Sequence, residues 1–448
     1  MSLKESLVRF SPHFIQNLAV TLFNVYQYKI RHGGSYNSFR EYYKKAENFS
    51  QEELEQEINI KKDNFFSYVV NNSEWYKEEL GNLECAKILE KENVINHLDK
   101  IKTINESEGI VSLTGGTTGA SMKVIYTKKD MQERFAILDH FRAQHGYELG
   151  KKTAWFSGKN LVTQKDIAKG ICSHYDFVNK IRFYSTFLIN EKNFDVYWKS
   201  LNKFQPEFLV GFPSSVFEIC QIAKARNLKY TGKAKVFFPT AETVLAEHRQ
   251  IISEVLGCKL VDQYASSEGA PFILECTAGN LHIHPLTGIF EVVDENLNPA
   301  QTGQILVTSF TTHGTPLIRY RIGDSITLAD ASKQCSCGSI FPLVESIQGR
   351  TNDYILSPTH GKVNLGNISN STKDTKGIVC FQLIQDSINH IEVRIVTTRD
   401  FDKKQELNFI SSLRERVGNE IELNISYVEA IEKERSGKFR IVKNLIGK

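Results

Sequence analysis

Between residues 101 and 347, short apolar runs of strand character alternate with stretches of helical periodicity, and this alternation restricts the possible folds more than any other feature of the chain. The runs lie at 109–113, 123–127, 208–210, 234–238, 259–262 and 304–309. They predict an α/β body. Ahead of it, the first hundred residues set Lys, Glu, Asn and aromatics at helical spacing, as in Phe39-Arg40-Glu41-Tyr42-Tyr43 and Phe65-Phe66-Ser67-Tyr68-Val69-Val70, and read as a helical entry segment. From Thr351 a polar Gly, Ser, Asn and Thr stretch runs through Lys376 and gives way to strand, helix and strand signals. The expected division is an entry segment at 1–100, an α/β body at 101–350, and a linker with a small α+β lid at 351–448.

A chain of 448 residues with 41% hydrophobic and 24% charged residues has the balance of a globular enzyme. The formal net charge of +3 lacks the surplus that gathers nucleic acid non-specifically, so no nucleic-acid partner is expected. The apolar run at 14–26 is interrupted by Gln16, Asn17 and Asn24 and falls short of the ~20 residues that span a bilayer. It reads as a packed amphipathic helix. With no export signal visible, a cytoplasmic location is expected. Eight cysteines are too sparse for a disulfide scaffold, and Cys172, Cys220 and Cys380, set singly in apolar segments, read as buried thiols.

Chemistry is first visible in Ser112-Leu113-Thr114-Gly115-Gly116-Thr117-Thr118-Gly119-Ala120-Ser121. Its glycines free backbone amides to approach an anion, and its hydroxyls can donate to phosphate oxygens. A Walker A loop is excluded, because Ala120 and Ser121 occupy the positions of the second glycine and the lysine. Strand signals on both flanks also argue against strand, loop, helix. A phosphate cradle and a plain hairpin turn both remain open at this point.

Two acidic loops follow apolar strands: Phe237-Phe238-Pro239-Thr240-Ala241-Glu242 and Asp262-Gln263-Tyr264-Ala265-Ser266-Ser267-Glu268-Gly269. Carboxylates just past strand ends sit where α/β proteins bind ligands. Then come Pro316-Leu317-Ile318-Arg319-Tyr320-Arg321-Ile322-Gly323-Asp324, Gly349-Arg350-Thr351-Asn352-Asp353 and Arg435-Ser436-Gly437-Lys438-Phe439-Arg440. Ion pairing is the plainer reading of Arg319 and Arg321.

In order and spacing, this series resembles the adenylate-forming superfamily of acyl-CoA synthetases, luciferases and nonribosomal adenylation domains, most closely its phenylacetate-CoA ligase and CapK-like branch. The match runs from Ser112 to the C-terminus, and Gly211-Phe212-Pro213-Ser214-Ser215 resembles a loop of that branch as well. The resemblance implies a large N-terminal adenylate-forming domain with a small C-terminal lid. It also implies ATP-dependent activation of a small-molecule carboxylic acid to an acyl-adenylate, followed by transfer to an acceptor, with CoA first in line. Thr114, Gly115, Gly116, Thr117, Thr118 and Gly119 would hold phosphates, and Glu268 would help carry Mg²⁺. Ala241, Glu242, Tyr264 and Ser266 would border the nucleotide, and Asp324, with Arg350 nearby, would take the ribose hydroxyls. Lys438 would stabilise charge at the α-phosphate and the attacking carboxylate. Asp353 would be the lid hinge.

The resemblance also implies a structural Zn²⁺ on Cys276, His282, Cys335 and Cys337, a tetrahedral set of three thiols and an imidazole, with His284 as the competing imidazole. After Asp353 the chain continues Tyr354-Ile355-Leu356-Ser357-Pro358, closer to the CapK-like pattern than to the turn that shapes a CoA channel. An amine, a sugar hydroxyl of a cell-surface polysaccharide precursor or a carrier thiol therefore stands beside CoA as acceptor, and a nucleotide-binding module without transfer chemistry is the non-enzymatic alternative. The aromatics at Trp155-Phe156 and Phe183-Tyr184 are read as core or as lining of an acyl pocket.

Overall fold

The computed structural model describes residues 11–78, 86–115, 121–157, 162–189, 192–242, 244, 246–348, 354–364, 368, 370–372, 374–375, 377–397, 401–428 and 441–446. The entry segment is helical: His13–His32, Tyr36–Ala46, Gln51–Asn72, Glu74–Glu78 and Lys91–Ile101. The third of these starts at a reciprocal cap. Ser50 accepts from the Glu53 amide, and the Glu53 carboxylate accepts from the Ser50 amide.

A six-stranded sheet forms one layer of the body. Its parallel strands Ile181–Ser185, Thr153–Ser157, Phe208–Gly211, Val236–Pro239 and Lys259–Leu260 lie side by side in that order, with Ser173–Asp176 antiparallel at the edge beside Ile181–Ser185. Phe208–Gly211 and Val236–Pro239 are buried at every position, because parallel strands are covered on both faces. Phe156 and Tyr184 stack at 4.8 Å inside this core, so this pair is packing and not pocket lining.

Residues 259–262 read as one strand, but only the first two are strand, and a second strand in a different sheet starts at Gln263. Lys259–Leu260 ends the parallel sheet, and Gln263–Tyr264 begins a seven-stranded antiparallel one. The break falls at Asp262, whose amide donates to the Glu275 carboxylate instead of to a strand. The second sheet runs Gly288–Val293, Thr302–Ser309, Tyr320–Leu328, Leu343–Gln348, Leu281–Ile283, Ile273–Glu275, Gln263–Tyr264. Tyr264 on its last strand lies 6.4 Å, ring to ring, from Phe290 on its first. The sheet therefore curls until its two edges meet, and Tyr264 sits at the seam between the sheets.

The helix His13–His32 departs from expectation. It buries its polar residues Asn17 and Thr21 and turns Phe14, Leu18, Leu22 and Tyr26 outward. The cause lies in the edge strand beneath. His13 donates to the Ser173 carbonyl, Asn17 Oδ1 accepts from the Tyr175 amide at 3.0 Å, and Thr21 Oγ1 accepts from the Phe177 amide at 3.2 Å. Four helical residues rise ~6 Å and two strand residues ~6.6 Å, so polar side chains at every fourth helical position meet every second edge amide. Among the described residues, no helix is long and apolar enough to cross a membrane.

The C-terminal part has a four-stranded sheet ordered Glu422–Tyr427, His390–Thr397, Ile378–Ser387, Val442–Asn444, with the helix Lys403–Val417. The polar stretch expected to be a linker contains a hairpin, Tyr354–Ser357 with Gly361–Asn364. Ile355 and Val363 of that hairpin enter a core built with Phe381, Leu383, Phe409 and Val442. Cys172 and Cys220 are buried, as expected, while the Cys380 side chain lies outside the described residues.

Candidate active site

The strand signals flanking the glycine-rich loop form an antiparallel hairpin, Ile110–Gly115 with Ser121–Tyr126, in which Thr114 pairs with Met122 and Gly115 with Ser121. Gly116, Thr117, Thr118 and Gly119 lie outside the described residues, as do Arg350, Asp353 and Lys438.

The hairpin is tied to the loop that carries Glu268. The Ser267 carbonyl accepts from the Tyr126 hydroxyl at 2.9 Å and from the Ser112 hydroxyl at 3.4 Å. Within the loop, Ser266 Oγ accepts from the amides of Gly269 and Ala270 at 3.2 and 3.0 Å, closing a tight turn. Gly269 adopts φ +101°, and a Cβ there would fall 2.4 Å from Thr312 Cγ2 and 2.8 Å from the Tyr126 hydroxyl, so only glycine fits. Burial pushes the Tyr126 phenol up to about 12; Arg134 opposes that rise and the nearby Glu268 carboxylate adds to it.

Arg134 was not singled out in the sequence. It comes from the helix Lys128–Gln144, and its buried guanidinium donates to the carbonyls of Gly269 and Ala270 at 3.0 Å, to Thr311 Oγ1 at 2.8 Å and to the Ser266 carbonyl at 3.4 Å. Five N–H donors in a rigid plane suit a loop that turns several carbonyls inward. The helix also buries Asp130, Glu133, Asp139 and Arg142, which lie on more than one side of it, so its sequence shows no single inward face. A buried charge needs a polar partner.

At the sheet seam, the Tyr264 hydroxyl donates to Asp324 Oδ2 at 2.8 Å. Both side chains are half-buried, and Asp324 follows Gly323, which holds φ +89°. Gln263 Nε2 donates to the Pro239 carbonyl at 3.2 Å, which brings the strand end before Ala241 and Glu242 to the same place. Ala241 takes φ +65° and is exposed, while Glu242 is half-buried. Tyr264, Asp324 and the strand end before Ala241 and Glu242 thus meet at one seam, while Thr114 and Gly115 belong to the hairpin tied to the Ser267 carbonyl. Arg319 and Arg321 are structural: Arg319 pairs with Glu291 at 3.0 Å and Arg321 with Glu90 at 2.8 Å.

Cys276, His282, Cys335 and Cys337 also come together, with ligand atoms all within 4.8 Å of one another. Cys276 Sγ lies 3.7 Å from Cys335 Sγ, and Cys337 Sγ lies 3.6 Å from His282 Nε2. A zinc tetrahedron with bonds of ~2.3 Å to sulfur and ~2.0 Å to nitrogen has edges of roughly 3.8 and 3.6 Å, so these two pairs stand at coordination spacing. His282 Nδ1 donates to the Phe341 carbonyl at 2.9 Å, which leaves the Nε2 lone pair for a cation. Burial opposes ionisation of Cys335, yet hydrogen bonds involving Cys337, His282 and Asn280 hold its thiol down at about 6. Burial and the neighbouring sulfurs push Cys337 up to about 12. A dication would replace the protons this set retains. His284 stands apart from the cluster: it is fully buried and held neutral, down at about 3, by desolvation and by Lys61.

Residues 355–445 match the family model for the CapK C-terminal domain. The chain is 31% identical to protein CapK of Staphylococcus aureus, over 97% of this chain and 98% of that one. It is 26% identical to the indoleacetate–lysine synthetase of Pseudomonas savastanoi over 54% of this chain and 59% of that one. The fold is similar to that of a 2-hydroxyisobutyryl-CoA ligase solved in a postadenylation state with an acyl-AMP, with TM-score 0.56 and 15% identity over 89% of this chain and 91% of that one. With relatedness to protein CapK running nearly end to end, and a fold similar to that of an acyl-CoA ligase, the chain belongs to the CapK family.

Proposed function

We propose that this protein activates a carboxylic acid with ATP, releasing pyrophosphate and forming an acyl-adenylate, and then passes the acyl group to an acceptor. The observation that carries the reading is the pairing of Tyr264 with Asp324 at the sheet seam, close to the end of the strand that leads to Ala241 and Glu242. A carboxylate held in this way is suited to accept both hydroxyls of a ribose, with Tyr264 at the edge of the base. Ser266 shapes the turn, and Arg134 fixes its backbone so that Glu268 is presented beside the glycine-rich hairpin. Glu268 would hold Mg²⁺, which neutralises departing pyrophosphate when bound. In the same reading, residues 114–119 cradle the phosphates, Arg350 supports the ribose, and Lys438 offsets charge that develops at the α-phosphate. Asp353 is the hinge about which the lid, residues 351–448, moves between the two half-reactions.

CoA is the first acceptor in this reading. An amine or hydroxyl, such as that of a polysaccharide precursor, is the second. The match of residues 355–445 to the CapK C-terminal model, which begins just after Asp353 where the chain leaves the CoA-ligase pattern, keeps the second beside the first. The Cys276, His282, Cys335 and Cys337 set would hold one zinc with no open position, which makes it structural.

The test is pyrophosphate release from ATP and Mg²⁺ across a panel of aromatic, fatty, hydroxy and amino acids, with and without CoA or lysine. Release that depends on one acid is expected. A further rise with CoA and thioester formation selects the first acceptor, and amide formation selects the second. ATP binding without release for any acid would leave a nucleotide-binding module and sink the ligase reading.

A further inference from the structure

The outward face of the helix His13–His32 serves no contact described so far. Phe14 is 67% and Leu18 50% exposed, with Leu22 and Tyr26 at 62% each. They recur every fourth residue and form a stripe ~18 Å long. The stripe does not end with the helix. Thr21 holds the Phe177 amide, so the turn after the edge strand lies alongside, and its tip residues Phe177 and Val178 are 55% and 61% exposed. A helix face and a turn tip thus share one surface because the same polar residues fix both.

The exposed charges on the helix and on the turn have one sign. The helix contains no Asp or Glu, and of the bases in its last turn Arg31 lies over the Phe135 ring and His32 bonds Asp139, so Lys29 is the one that faces outward. Lys29 is exposed, as is Lys180, which closes the turn after Val178 and Asn179. Asp176, the nearest acid in that turn, is buried and accepts from the amides of Val178 and Asn179 and from the Asn179 side chain.

We propose that this face docks on an anionic lipid bilayer, with the helix lying in the interface and Phe177 and Val178 inserted beside it. Aromatic and aliphatic side chains on one face of a helix, with lysines at its margin and polar residues directed away, make an interfacial element. Charge favours a bilayer over a second copy. A two-fold pairing would present the same acid-free patch from both sides, so Lys29 and Lys180 would find no carboxylate there, whereas acidic headgroups supply the opposite charge. The overall charge of +3 is small, so attachment depends on the apolar stripe and these local lysines. The proposal stands apart from the ligase reading, because the face includes none of the candidate site residues.

The experiment is co-sedimentation of the full chain with vesicles of phosphatidylcholine alone and of phosphatidylcholine mixed with phosphatidylglycerol. Partitioning onto the mixed vesicles is expected, weakening as salt rises. Leu18→Glu with Leu22→Glu should lower it at least about tenfold. Lys29→Glu with Lys180→Glu should do the same on the mixed vesicles alone. Both pairs are exposed, so unchanged thermal unfolding is expected of each variant. The proposal is overturned if the wild-type chain stays in the supernatant, or if the leucine pair is replaced without effect. It is equally overturned if sedimentation equilibrium shows a dimer that the leucine pair abolishes in a chain that ignores vesicles. Binding that appears only after deletion of residues 1–10 would make that segment the occupant and would also refute it.

Discussion

Tyr264 donates its phenolic proton to Asp324 across 2.8 Å, joining the last strand of the curled sheet to a strand that is not its neighbour in the sheet order. Hydrogen bonds to charged groups contribute ~1.5–3 kcal/mol. Tyr264→Phe is therefore expected to raise the KM for ATP by roughly tenfold or more while the chain stays folded. Initial rates of pyrophosphate release at varied ATP would show it. A KM within a factor of about two of wild type would remove the pair from nucleotide placement.

Lys438→Ala should reduce adenylation by about 10²–10³-fold, the usual cost of removing a preorganised charge from a transition state. ATP binding by calorimetry should change little. Unaltered turnover would take Lys438 out of the mechanism.

Arg134→Lys keeps the charge but supplies a point donor where the loop presents three carbonyls and a hydroxyl. Turnover should fall by tenfold or more, and the thermal midpoint should drop, because buried carbonyls lose their partner at about 1–3 kcal/mol each. Restoration of full rate by Lys would mean that charge alone matters and that loop geometry does not.

Elemental analysis should return about one zinc per chain, and Cys335→Ser should lose the metal with a lower thermal midpoint. Metal-free wild-type protein of normal stability would contradict the assignment. Cys172→Ser, far from the set in sequence and in a separate core, provides the control that keeps its zinc.

Burial lifts Asp262 from 3.8 to about 6, with Arg249 opposing the shift and Glu275 adding to it. A raised carboxyl means that the folded chain binds this proton more tightly than the unfolded chain does. Stability should therefore fall as pH rises from about 4 to 6, and the penalty should be fully expressed above that. At about 1.4 kcal/mol per pKa unit, Asp262→Asn is expected to stabilise by about 1–3 kcal/mol at pH 7 and by nearly nothing at pH 4. Urea unfolding at the two pH values measures the difference. An equal effect at both would assign it to packing.

Much of this arrangement could be read in the sequence because the chemistry requires particular residue types beside particular strand ends. Tyr264 stands just past an apolar run, Asp324 lies within the strand Tyr320–Leu328 directly after Gly323, and the hairpin around Thr114 and Gly115 shows strand runs on both sides. The cysteine and histidine set was legible from donor type, although only the fold could select His282 over His284. Arg134 was hidden because a charged residue within a helix reads as solvated until a buried loop of carbonyls is found opposite it. The orientation of His13–His32 was hidden for a related reason. Periodicity shows that a helix has two faces, and only the edge strand at 173–176 determines which one turns inward. The hairpin holding Ile355 and Val363 lay concealed in a polar stretch, where its few apolar residues were too sparse to stand out.

Asn17 and Thr21 have one more consequence. The rim of a sheet offers bare amides that can recruit any extended chain, and this is a common route to fibrils. Here the amides of Tyr175 and Phe177 are already taken by side chains of a helix, which has no ladder of its own to extend. Replacing those two residues with alanine would uncover a template for strand addition, so a pair of small polar side chains works as a guard against aggregation in a concentrated cell.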